Sequence, residues 1–239
     1  MNIHVSKRPV LQPPLSPLEG ELTVAIASLS IGGAERIVLE WASRIHARWS
    51  VHLIVLRNRE KEWPVPSFIR VTRLEDEDRL KNFAHLETLN ERRLAQLRLL
   101  GADLARNPVP VVTCHLLTKQ EREALGEAGA QIVTVLHNAK DGWSEGAECL
   151  NGSSNVIAVS DACAHDLRAA GWQGPVSVIR HIPVRRTFHP KARDIYRRAW
   201  NIPSDATVIG MTGAVKSQKN YLRALEILKS LHQKRDAYL

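Results

Sequence analysis

Cysteine is scarce in this sequence: there are three among 239 residues, Cys114, Cys149 and Cys163, and no C-x-x-C pair. An odd, scattered count excludes a disulfide framework, argues against a zinc site and suits a reducing compartment. Long apolar runs are missing as well, none approaching the roughly 20 residues needed to span a bilayer. Lys7 and Arg8 have no apolar core behind them, which is not the pattern of a secretory signal. The chain shows no short-period repeat, no low-complexity tract, no spaced glycine fingerprint of a dinucleotide fold and no recognised nucleic-acid motif.

What is present is the make-up of an ordinary globular protein, 44% apolar and 24% charged, long enough for one large domain or two small ones. The formal charge of +8, with a pI near 9.7, points to an anionic partner. Nucleic acid, an acidic membrane surface and a phosphorylated small molecule all satisfy charge alone.

The chain is organised around Ser30-Ile31-Gly32-Gly33-Ala34-Glu35-Arg36, between a strand-like run (Leu22 to Ala27) and a segment with Ile37, Trp41 and Ile45 at helical spacing. Two glycines at a strand-to-helix turn let the backbone approach a ligand, and the open N–H groups of the helix favour an anion. A plain tight turn, with Glu35 placed to suit the helix dipole, is the competing reading. Residues 1–19, with Pro9, Pro13, Pro14 and Pro17, read as a flexible lead.

Further strands are expected at Val51–Leu56, Phe68–Leu74, Pro110–Cys114, Gln131–Leu136, Asn155–Val159 and Val176–Ile179. Between the third and fourth of the seven, the leucine spacing predicts one helix from Asp78 to Ala105. Ser160-Asp161 caps a helix that stops at Gly171. Alternating strands and helices make residues 20–185 an α/β domain, a doubly wound parallel sheet of Rossmann-like type. Residues 186–239 then begin an incomplete second α/β unit, with a basic helix (Lys191 to Trp200), one strand (Thr207 to Met211) and a final helix from Asn220. A lone strand makes no sheet.

Ligands of an open parallel sheet bind beyond the carboxyl ends of its strands. Gly32, Gly33, His115, His137 and Ser160 each follow a strand and should gather along that edge. His137 is followed by Asn138, Lys140 and Asp141, polar groups suited to a sugar. Lys216 and Lys219, in the loop before the last helix, present two point charges beside a helix N-terminus, an arrangement suited to a diphosphate. Between Val178 and Arg198 stand seven basic residues, Arg180 first among them, and one acidic. A solvated helical face accounts for most of that run, and anionic lipid headgroups form the alternative.

Taken together, these segments resemble the family 4 glycosyltransferases of the GT-B fold. Gly32-Gly33-Ala34-Glu35-Arg36 is similar to the family's opening signature. Thr134-Val135-Leu136-His137-Asn138, Val156-Ile157-Ala158-Val159-Ser160, Val176-Ser177-Val178-Ile179 and the segment from Arg193 to Asn220 appear in its order and spacing. The likeness runs from Leu22 to the end. It implies retaining transfer of a sugar from a nucleotide diphospho-sugar to a glycan or lipid-linked acceptor, with no metal and no cofactor. Residues 20–185 would be the acceptor-side domain and 186–239 the start of the donor-binding domain. His137 would be the catalytic residue against the transferred sugar, and Gly32, Gly33, His115, Asn138 and Ser160 the substrate-binding set. Lys219, Lys216 and Arg180 would hold the donor diphosphate.

The chain departs from the family pattern at Ala214, where an arginine is usual, and at His181-Ile182, where an asparagine–glycine pair is usual. The resemblance also places the paired glutamates of the donor domain beyond Leu239, so a second chain completing that domain is expected for activity. A non-catalytic sugar- or acceptor-binding module, or inactive remnant, is the alternative. The expected location is cytoplasmic, with peripheral contact to an anionic membrane on its inner face and no nucleic-acid partner.

Overall fold

Short runs of Val, Ile and Leu bounded by polar turns form the parallel strands of the first unit, the residue pattern of a sheet buried on its faces. They are β1 (Glu21–Ile26), β2 (Ser50–Val55), β3 (Arg70–Arg73), β4 (Val111–His115), β5 (Gln131–Leu136), β6 (Asn155–Ala158) and β7 (Val176–Val178). The helices are α1 (Gly33–Ile45), α2 (Glu77–Lys81), α3 (Leu89–Ala105), α4 (Lys119–Gly126) and α5 (Asp161–Ala169). Coordinates come from a computed structural model that describes residues 20–107, 111–139, 146–181, 189–213, 215, 217–233 and 237–238. The chain divides into two units, Met1–His181 and Ile182–Leu239. The lead at 1–19, Lys140, Asp141, Ala214 and Lys216 lie outside the described residues.

The strand order is β3-β2-β1-β4-β5-β6-β7, a seven-stranded α/β Rossmann-like sheet. All six pairings are parallel. Because side chains alternate along a strand, each strand feeds two cores. Val24 and Ile26 of β1 join Val38, Leu39 and Ala42 of α1 on one face. Ala25, Ile54, Val112 and Cys114 join Leu97 and Leu104 of α3 and Leu125 of α4 on the other. Complete burial of one Val or Leu side chain stabilises by about 1.5–3 kcal/mol, so α1 is held chiefly by Val38 and Leu39. Burial raises the Cys114 thiol to about 12, which keeps it protonated and inert.

The expected helix from Asp78 to Ala105 is two helices. Thr88 adopts an extended backbone and begins α3 afresh: its hydroxyl accepts from the Glu91 N–H (3.1 Å), and the Glu91 carboxylate accepts from the Thr88 N–H (2.9 Å). That reciprocal cap satisfies two open donors and starts α3 separately from α2, which has already ended at Lys81.

In the second unit are α6 (Ala192–Ala199), β8 (Thr207–Val208), α7 (Tyr221–His232) and β9 (Ala237–Tyr238). The expected strand is shorter than Thr207 to Met211, and it is not alone. Parallel β9 pairs with it, and the Ile209 N–H donates to the Tyr238 carbonyl at 2.8 Å. The intervening α7 supplies the crossover that a parallel pair requires. Two guanidiniums of the basic run are turned inward on their own loop: Arg193 donates to the Ser204 carbonyl (2.7 Å) and Arg197 to that of Ala206 (2.8 Å). Among the described residues, no helix is long and apolar enough to cross a membrane.

Candidate functional site

Strand order reverses between β1 and β4, which makes the carboxyl ends of those two strands the switch point where a crevice forms. Ile26 and His115 are register partners there, and the Ala27 N–H donates to the His115 carbonyl at 3.1 Å. His115 follows inward-facing Cys114, so alternation turns its ring to the α1 face, 6.2 Å from the Trp41 ring. It is the last residue of β4, not the first of a loop, and only 4% exposed.

One strand over, His137 follows β5. Nδ1 of His115 and Nε2 of His137 lie 3.0 Å apart and share one proton. On the far side His181, just after β7, stacks on His137 with ring centroids 5.6 Å apart and planes 26° from parallel. Three imidazoles thus form a row along the carboxyl edge. Burial, then the neighbouring rings, hold His115 well below the usual histidine range. Burial, then His181, lowers His137 to about 4, and burial alone lowers His181. At neutral pH the row is uncharged.

His137 and Asn138 border a hollow of about 170 Å³ with Leu116, Thr118, Arg122 and Cys149. Leu116 sits there at φ 61°, a left-handed backbone, with its side chain 42% exposed. Arg122, buried beneath, donates to the carbonyls of Leu117 and Cys149.

The glycine turn is built differently from the expectation. Gly32 N-caps α1 at φ −134°, and Gly33 has open space where a Cβ would stand. Neither uses the left-handed freedom of glycine. The place in front of the helix holds a carboxylate of the chain itself: Glu35 folds back and accepts from the Ser30 hydroxyl at 2.9 Å. A Cβ on Gly32 would meet that carboxylate at 2.2 Å. Trp63, which follows β2 and precedes β3, donates its indole N–H to the Gly32 carbonyl at 3.0 Å. Arg36 lies over the same indole, 6.0 Å from the centroid. The first seat for an anion is therefore already negative.

Ser160 caps α5: its hydroxyl accepts from the Cys163 N–H at 3.2 Å. Arg180 stands at the same edge, ion-paired with Asp161 in the first turn of α5. Lys219 belongs to the second unit, where its aliphatic stem lies about 3.5 Å from the point a Cβ on Gly213 would occupy. Among the described residues, no group of three or more His, Cys, Asp or Glu side chains is arranged to hold a metal ion. The row of imidazoles escapes sequence reading because His181 lies beyond the seventh strand. Only the register of β4 on β5 brings His115 to His137.

No protein-family model and no curated protein matches the sequence. Solved structures do match. HepE of Anabaena in complex with UDP-glucose is similar over 92% of this chain and 68% of its own, with 16% identity and a TM-score of 0.55. A glycosyltransferase from Rickettsia africae is similar over 92% of this chain and 59% of its own, with 17% identity and a TM-score of 0.58. What is shared at these identities is the fold, an α/β Rossmann-like architecture, and this chain spans about two thirds or less of those proteins.

Proposed function

We propose that the chain is a glycosyltransferase-like protein of the GT-B, family 4 type, acting on a nucleotide diphospho-sugar and a glycan or lipid-linked acceptor with retention of configuration. The observation that carries this reading is His137 with Asn138 at a hollow beyond the carboxyl end of β5, beside the switch point. The two structural neighbours support it: one was crystallised with UDP-glucose and the other is a glycosyltransferase. In this reading residues 20–185 form the acceptor side, and 186–239 contribute to the donor side through Lys219 and Lys216. A neutral His137 suits a sugar hydroxyl better than a phosphate, since an uncharged ring with one nitrogen engaged by His115 offers a ligand a hydrogen bond but no charge.

A second reading, a non-catalytic sugar-binding module, is favoured by Glu35. A carboxylate in front of α1 repels a diphosphate and accepts from hydroxyls. Titrating the protein with a soluble glycan acceptor, and separately with nucleotide sugars, separates the two readings. Ring signals of His137 should move with both ligand classes for the enzyme. Movement with glycans alone favours the module. If neither ligand class perturbs His137 or Asn138, both readings fail.

A further inference from the structure

The row of imidazoles contains an asymmetry. Nδ1 of His115 meets Nε2 of His137 at 3.0 Å, while Nε2 of His115 is buried and has no hydrogen-bond partner among the described residues. A neutral imidazole has one N–H and one bare nitrogen. If His115 carried its proton on Nε2, an N–H donor would be buried with no acceptor. If the proton is on Nδ1, the bare Nε2 loses only an acceptor contact, the less costly omission. His115 then donates to His137, whose Nε2 is thereby fixed as the acceptor. The proton of His137 is left on Nδ1, which faces away from His115.

We infer that His115 is a positioning residue that holds His137 in its Nδ1–H tautomer, so that His137 meets its ligand as a hydrogen-bond donor and not as a base. Stacking of His181 on the same ring restrains its plane, and burial keeps both His115 and His137 uncharged at neutral pH. A donor at that place suits a hydroxyl or carboxylate oxygen of the ligand. That last point rests on the sugar-binding reading; the tautomer does not.

The test is imidazole nitrogen NMR on the full chain labelled with nitrogen-15 histidine, at pH 8 and without ligand. Its ten histidines are assigned by single His→Gln variants. His137 should show a pyrrole-type Nδ1 and a pyridine-type Nε2, with that tautomer favoured by about tenfold or more, the size of an orphaned buried donor. His115→Phe, which removes the donor, should return His137 to the Nε2–H form that free imidazole side chains prefer. His115→Asn, whose amide can donate from the position of Nδ1, should restore the Nδ1–H form. A pyridine-type Nδ1 on His137 in the wild-type protein overturns the inference, whether or not either variant folds. Because no ligand is present, that failure is distinct from a failure to bind sugars.

Discussion

The guanidinium of Arg57, in the loop after β2, is ion-paired with the carboxylate of Glu121 at the head of α4, and that carboxylate is 1% exposed. The pair ties a loop on one side of the switch point to a helix on the other. Glu121 also accepts from the Thr118 N–H at 2.9 Å, so one side chain closes the cap and the bridge together.

Replacing Glu121 with alanine strands a partly buried cation and removes one half of the α4 capping box. Urea unfolding of Glu121→Ala should show a loss of about 3–5 kcal/mol, the range for a broken buried pair. Glu121→Gln keeps the shape and a cap acceptor and should lose less. A loss under about 1 kcal/mol for the alanine variant would mean that the pair acts as an exposed one.

The two glycines before α1 should separate sharply. Gly33→Ala meets nothing and places a better helix former in the helix, so stability should hold or rise by up to about 1 kcal/mol. Gly32→Ala must displace Glu35 from Ser30, and should cost on the order of 1 kcal/mol. In the Glu35→Ala background that cost should largely vanish, which a double-mutant cycle measures. Equal costs in both backgrounds would mean that the carboxylate is not the obstacle.

Stability should fall on mild acidification. His52, 5% exposed and 2.8 Å from the Thr72 hydroxyl, is lowered to about 4 by burial and then by Arg70 and Arg79. His137 stands at about 4 for the reasons given above. Each group is neutral in the folded state and takes up a proton in the unfolded chain once pH drops below the usual value near 6.5. The unfolded state therefore binds more protons between about 6.5 and 4, and stability is lost downward through that window. The slope for each such group approaches roughly 1.4 kcal/mol per pH unit. Urea midpoints from pH 8 to 5 should decline, and His52→Gln should flatten the decline. Midpoints independent of pH would show that these rings are solvated.

Leu116 holds a left-handed backbone with an exposed side chain, so it bears strain and buries little. Leu116→Gly should stabilise the fold by roughly 1 kcal/mol, the cost of that conformation for a residue with a Cβ. A loss of stability instead would show that the leucine side chain makes packing contacts that matter. If glycan binding weakens while stability rises, the strain belongs to the site.

Strand content was legible because β1, β2, β4 and β5 are short runs of mostly apolar or β-branched residues, and the helical segments between them implied parallel pairing. The break between α2 and α3 was legible too, in the T-x-x-E spacing of Thr88 and Glu91, but the leucine period running on both sides obscured it. β9 is two residues long and gains its identity only from pairing with β8. At the site, the histidine after β5 could be placed at the edge from sequence order. Its hydrogen bond to His115 needed the register of two strands, and the stacked His181 needed the end of a third. Glu35 was visible as a charge near a helix start. That it fills the space before that start depends on a side-chain torsion and on the Ser30 hydroxyl, neither of which leaves a periodic signal.

The place of β1 in the sheet bears on how the chain acquires its structure. β1 is made early but sits at the centre, and Val24 finds Thr113 only after β2, β3, α2 and α3 have been synthesised. Until then the edge of β1 that β4 will join has unpaired backbone groups. Docking of β4 closes a loop of many residues, the slow kind of step in parallel topologies. The seam that carries the switch point thus stays open until β4 is made and, while open, is the stretch through which partly made chains would stick to one another.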